Sequence, residues 1–313
     1  MNTLRATLAA AVLLGVVPGY LSARQVPSLD ASQMLADLRV LAHDSMEGRA
    51  TGSAGNAKAR EYIRKSFVRI GLDPVYDDFV QPFTFAVSEG DSMVGSNIVG
   101  RVPGTSAEQP YLLVSAHFDH LGVRSGRIFN GADDNASGVA VLLAVARYFA
   151  AHPPVHPMLF VAFDAEENGL RGARAFVARP PVDLASLATI VNLDMVSHSD
   201  SVLFVVGTHH YPHLRPLVQS VTPPPNVVVR FGHDQPGTRP GDDWTGASDH
   251  GPFHMAGVSF LYFGVEDHAD YHAPTDDVER INERFFVGAA DTILRTLVQL
   301  DRHLTEIAAR RPR

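Results

Sequence analysis

Apolar positions along the chain change period several times, and each change marks an element. Met34, Leu35, Leu38, Leu41 and Ala42 recur at helical spacing and predict a helix over 31–42. Ala59, Ile63, Phe67 and Ile70 share one face of a second predicted helix, 57–70, with Asn56 as N-cap and Gly71 as stop. Between them, Gly48, Gly52 and Gly55 leave a turn-rich loop, in which Glu47 and Arg49 are open to contact with substrate or with solvent alone. Apolar runs at 79–85, 93–102, 111–116, 158–163, 187–193, 201–206 and 258–263 read as strands. Helices are predicted over 137–150, with Ser137 as N-cap, over 170–177 and over 282–304. This alternation predicts an α/β domain with a mixed, mostly parallel central sheet flanked by helices. The stretch 209–251, with its Thr222-Pro-Pro-Pro225 run, reads as loop-rich and as the wall of a site rather than a domain boundary.

Polar residues then gather where the strands stop. His117, Asp119 and His120 follow one strand, and Asp133-Asp134-Asn135 precede the next helix. Glu166 and Glu167 follow a second strand, Asp194 a third, and Tyr271 and His272 lie in the acidic loop 266–277 after the last. Open α/β sheets place their sites beyond the carboxyl ends of the strands. At first sight the grouping fits a metal site or an acid–base site. Two histidines (His117, His272) with four carboxylates (Asp134, Glu166, Glu167, Asp194) suit zinc, with cobalt or manganese as alternatives. Four carboxylates in one pocket repel unless cations neutralise them, and two divalent ions would do so. Adjacent Glu166 and Glu167 allow one to bind metal while the other acts as general base.

Composition narrows the chemistry. The 313 residues are 45% hydrophobic and 19% charged, as in a globular protein with a full core. A net charge of −8 disfavours nucleic acid and polybasic membrane contact. With no cysteine, thiolate metal sites, cysteine nucleophiles and disulfides are excluded. Residues 1–23 read as a secretory signal: Arg5, an uncharged apolar run over 6–17, and Leu21-Ser22-Ala23 for cleavage. An uncleaved anchor is the rival reading, but Pro18 and Gly19 break the run and it is short for a span. The expected mature domain is 24–313, exported to the periplasm or the extracellular space. No G-x-S-x-G, H-E-x-x-H or P-loop pattern is present.

Several segments together are specific. Leu41-Ala-His-Asp-Ser-Met-Glu-Gly-Arg49, Thr51-Gly-Ser-Ala-Gly55 and Ser96-Asn-Ile-Val-Gly100 come first; His117-Phe-Asp119, Gly131-Ala-Asp-Asp134-Asn-Ala-Ser-Gly138, Glu166-Glu167, Asn192-Leu-Asp194 and Tyr271-His272 follow. Over essentially the whole mature chain the sequence resembles the co-catalytic di-zinc aminopeptidases of the bacterial leucyl aminopeptidase type, related to glutamate carboxypeptidase and glutaminyl cyclase. The resemblance implies a zinc-exopeptidase fold and two zinc ions per chain. It implies His117 and Asp194 on one metal, Glu167 and His272 on the other, and Asp134 bridging both. It further implies Glu166 as general base, Asp119 supporting His117, and Tyr271 steadying the tetrahedral oxyanion. The implied substrate is a peptide or aminoacyl compound with a free N-terminus, with no nucleic-acid partner and no stable membrane anchor after signal cleavage.

Two other functions share such a chain: a single-zinc glutaminyl cyclase, and a catalytically dead peptidase-like binding module. Both are expected to lose ligands or the base, and none is lost here. Asp133, Asn135 and Ser137 are read as turn and cap residues, His120 as a loop residue, and His209, His210 and His213 as surface residues. Asp249 and His250 are candidates for the surroundings of the site, and Asp276 for ordering the His272 loop or bonding its imidazole. The pocket for the first substrate side chain is expected within 208–251 and 253–262.

Overall fold

The computed structural model describes residues 27–105, 108–235 and 241–311. The segment read as a signal, 1–23, lies outside them. Among the described residues there are eleven strands, β1 (Asp73–Pro74), β2 (Val80–Ser88), β3 (Asp91–Val102), β4 (Tyr111–His117), β5 (Gly122–Arg124), β6 (Arg127–Phe129), β7 (Met158–Phe163), β8 (Leu187–Leu193), β9 (Val202–Val206), β10 (Val228–Phe231) and β11 (Ser259–Gly264). Eight α-helices accompany them: α1 (Ala31–Leu41), α2 (Ala54–Ile70), α3 (Gly138–Ala151), α4 (Arg171–Ala178), α5 (Arg215–Gln219), α6 (His250–Met255), α7 (Glu283–Arg302) and α8 (Leu304–Ala309).

Nine strands form one sheet in the order β1-β3-β7-β4-β8-β11-β9-β10, with β2 also paired to β3; β5 and β6 form a separate hairpin. The central strands β7, β4, β8 and β11 are mutually parallel, while β3 and β9 join them antiparallel. Every residue of β7, β8 and β11 is buried. Both sheet faces are therefore covered by helices, which is why these runs are largely apolar instead of alternating. The α/β class and the mostly parallel centre match the sequence expectation.

Differences at the element ends have local causes. Helix α2 starts earlier than expected because Ser53, not Asn56, accepts from a first-turn N–H, that of Asn56. Ser137 does not cap α3; its Oγ donates to the Asp133 carbonyl and accepts from Val196 N. The predicted 282–304 helix is interrupted at His303 and resumes as α8. The stretch read as loop-rich contains α5, β10 and α6, each too short for periodicity to reveal. No described helix is long and apolar enough to cross a membrane.

Candidate functional site

Register brings the strand ends to one level. His117 pairs with Phe163 across β4 and β7, Ser115 with Asn192 across β4 and β8, and Phe263 with Leu193 across β11 and β8. The residues just beyond these pairs, Glu166, Glu167, Asp194 and the loop to His272, therefore converge. They line a cavity of about 320 Å³ with His117, Asp134, Gly169, Leu170, Met195, Gly246, Ala247 and Tyr271. Ala165, Met195 and His272 hold positive φ values of 59°, 56° and 52°. Non-glycine residues rarely adopt this region, and here it recurs beside three of the converging groups.

The carboxylate of Asp134 sits between two groups. Its Oδ1 is 3.3 Å from His117 Nε2, which is 3.2 Å from Asp194 Oδ1. Its Oδ2 is 3.1 Å from His272 Nε2, which is 3.3 Å from Glu167 Oε2. All five residues expected to bind metal are thus brought together around Asp134. The donors are imidazole nitrogens and carboxylate oxygens, and the His117, Asp134 and Asp194 donor atoms lie within 4.8 Å of one another. That donor set fits zinc. Burial disfavours the charged forms of Glu166 and Asp194 and raises both, Glu166 well above the ordinary range, with nearby carboxylates adding to the effect. Burial also opposes charge on His117, but Asp194 and Glu166 outweigh it and raise that imidazole well above 6.5. Asp134 and Glu167 push His272 up to about 10.

Asp119 lies beside His117 and meets it through the main chain. Its carboxylate is 3.7 Å from His117 Nδ1, beyond hydrogen-bond range, whereas its backbone carbonyl is at 3.1 Å. The carboxylate instead accepts from Glu166 N at 3.0 Å, Glu167 N at 3.3 Å and Thr51 Oγ1 at 3.3 Å. It therefore fixes the backbone that aims the glutamate pair, while its main chain orients the imidazole. Tyr271 stacks on His272, with ring centroids 4.0 Å apart.

His120 is buried at the site and is not a simple loop residue. Its Nδ1 is 2.8 Å from Glu167 Oε1 and 3.6 Å from Asp134 Oδ2, and its ring lies outside the cavity lining. Only its position next to the His117-Phe-Asp119 segment signalled this in the sequence. Asp276 does not reach the His272 ring; it accepts from the backbone of Asp133 and Asp134 at 2.9 and 3.0 Å. Asp133 shapes the turn as expected, accepting from Ser197 N and Oγ at 2.7 Å each. Arg49 is only 1% exposed and donates to the carbonyls of Leu41, Phe118, Asn130 and Gly131, while Glu47 pairs with Lys58 in solvent. Both Asp249 oxygens are buried without a hydrogen-bond partner among the described residues, and burial raises that carboxyl well above its ordinary range. His250 Nε2 donates to Trp244 O at 2.8 Å, and burial pushes the imidazole down to about 4. Among the described residues of the segments expected to form a specificity pocket, only Gly246 and Ala247 line the cavity; Phe253 and Phe260 are core residues.

Comparison with known proteins places this geometry in a family. Residues 97–297 match the model of peptidase family M28. Aminopeptidase YwaD of Bacillus subtilis (strain 168) is 30% identical over 216 residues, covering 64% of this chain and 44% of that protein. A vacuolar membrane protease of Schizosaccharomyces pombe is 34% identical over 134 residues, 40% of this chain and 15% of its own length. The chain thus spans less than half the length of these two relatives. In structure it is similar to an aminopeptidase from Aneurinibacillus sp. strain AM-1, with a TM-score of 0.69, 18% identity and coverage of 86% of this chain and 93% of that one. It is equally similar to Bacteroides thetaiotaomicron glutaminyl cyclase, with a TM-score of 0.69, 17% identity and coverage of 87% and 99%. The chain belongs to peptidase family M28.

Proposed function

We propose that the protein is an exported zinc aminopeptidase that hydrolyses the first peptide bond of substrates bearing a free N-terminal amine. The observation that carries this reading is Asp134, whose two oxygens face two separate imidazole–carboxylate pairs. In this reading His117 and Asp194 hold one ion, Glu167 and His272 the other, and Asp134 is shared. Bound zinc supplies a Lewis acid for the substrate carbonyl and lowers the pKa of water toward ~7.

The chain's own residues have separate tasks. Glu166 takes the proton of the attacking water and delivers it to the departing amine. Asp119 fixes the backbone of both glutamates, and His120 orients Glu167 from behind the cavity wall. The Tyr271 hydroxyl steadies negative charge on the former carbonyl oxygen. The carboxylates of the cavity attract a free α-amine, which accounts for cutting at the N-terminus.

Hydrolysis of aminoacyl chromogenic amides, with and without a chelator, tests this directly. Activity should vanish on chelation and return with zinc. A protein that leaves these amides intact and only cyclises N-terminal glutamine would instead be a glutaminyl cyclase, and one that does neither would be a binding module. Export is tested by cell fractionation of the full chain against a chain lacking residues 1–23. Retention of both in the cytosol would reject it.

A further inference from the structure

A second histidine–carboxylate group lies outside the cavity, where the loop after β11 meets the chain leaving β8. The imidazoles of His198 and His268 stack with centroids 3.7 Å apart and an interplanar angle of 26°. His268 Nε2 is 3.1 Å from Asp133 Oδ2. The other Asp133 oxygen accepts from Ser197 N, Ser197 Oγ and His198 N, so the carboxylate is held as an acceptor. The ring nitrogen facing it must therefore carry the proton. That leaves the lone pair of the neutral imidazole on Nδ1. His268 Nδ1 is buried with no hydrogen-bond partner among the described residues, and so is His198 Nδ1.

Asp270 completes the group. Its Oδ1 accepts from Thr275 Oγ1 at 2.7 Å. Its Oδ2 lies 4.0 Å from His198 Nε2, too far for a hydrogen bond. One nitrogen from each ring and one Asp270 oxygen fall within 4.8 Å of one another. A metal-bound histidine usually has its other ring N–H held by a carboxylate or carbonyl, as Asp133 holds that of His268. Two imidazoles with one carboxylate suit zinc, cobalt, nickel or copper and not calcium.

We propose that His198, His268 and Asp270 bind a divalent transition-metal ion at a site separate from the cavity, pinning the 265–277 loop to the chain that leaves β8. Tyr271 and His272 follow Asp270 directly, so the ion would fix the segment that carries two groups of the cavity. The site uses none of the five residues assigned to the cavity metals and stands whether or not that assignment holds.

Metal content per chain decides the matter. Full-length protein is saturated with zinc, freed of excess and measured by elemental analysis, beside His198→Gln and Asp270→Asn. Both variants should carry one equivalent less than the parent. The same loss should appear in a chain whose cavity is disabled at both ions by Asp134→Asn with His117→Ala and His272→Ala. Asp270→Asn keeps the size of the side chain and an oxygen for Thr275, so it guards against simple misfolding, which circular dichroism monitors. Cobalt loading gives a second reading: visible bands retained in the cavity-disabled chain should disappear with Asp270→Asn. A well-folded Asp270→Asn protein with unchanged metal content, or a cavity-disabled chain with no bound metal, overturns the proposal. Should the cavity hold no ion at all, the parent would carry one equivalent and the variants none, which separates the two assignments.

Discussion

Asp134 presents one oxygen to His117 and the other to His272 and His120, a division that only a two-oxygen acceptor at the centre of the group can make. The proposed base, Glu166, differs from its neighbour in surroundings. Among the described interactions, Glu167 meets two imidazoles, whereas Glu166 has carboxylates nearby and is opposed mainly by His117. Glu166→Gln should keep the zinc content of the parent and lose at least the ~10²–10⁴-fold of an isolated acid–base group. Turnover near that of the parent would remove Glu166 from the role. A linked expectation concerns protons. His272 is raised to about 10, so at pH 7.5 the metal-free imidazole is charged and zinc must displace a proton to bind it. Titration calorimetry in buffers of different ionisation heat should therefore show proton release at pH 7.5, diminishing as the pH rises through about 10. Binding at pH 7.5 without release would contradict the charged imidazole.

At the scale of elements, the site depends on how loops are tied to strand ends. Arg49, itself in the first loop, donates to carbonyls at the end of α1, at the exit of β4 and in the Asn130–Gly131 turn. Gly131 holds φ at +56°, and a Cβ there would lie 2.0 Å from the Asp134 carbonyl oxygen, so the turn before Asp134 accepts no side chain. Arg49→Met orphans several buried acceptors at ~1–3 kcal/mol each and should destabilise by about 3–5 kcal/mol. Urea unfolding measures this, and an unchanged midpoint would show that the guanidinium contributes nothing. Strands β4, β7, β8 and β11 were legible because full burial writes an unbroken apolar run. Arg49 was not, since a charged residue in a glycine-rich loop looks solvent-exposed until the chain folds over it. His120 was missed for a related reason: its nearest partner, Glu167, is remote in sequence and meets it only through the register of β4 and β7.

For the whole molecule, the cavity joins segments that are far apart in sequence, from β4, the turn before α3, β7, β8 and the loop after β11. An ion bound there would add a link between elements already joined by the sheet and by the hydrogen bonds of Asp119 and Asp276. Anything that binds the folded form alone stabilises it, by ~2.7 kcal/mol at a free concentration of 100 times Kd. Chelation should therefore lower the thermal midpoint by several degrees, and zinc should restore it. A midpoint unchanged as metal content falls to zero would show that ion binding is not coupled to folding.

The sequence by itself determined the fold class, the positions of the buried strands and the identity of the His, Asp and Glu groups beyond them. Hydrophobic period and strand-end chemistry are local properties, written within a few residues. Tertiary structure alone decided that Asp119 uses its carboxylate on the Glu166–Glu167 backbone, that Asp276 holds the Asp133–Asp134 turn, and that His120 stands behind Glu167. It also decided that His198 and His268, seventy residues apart in the chain, stack against each other. Each of these depends on which strands are neighbours and in what register, and no local pattern encodes that.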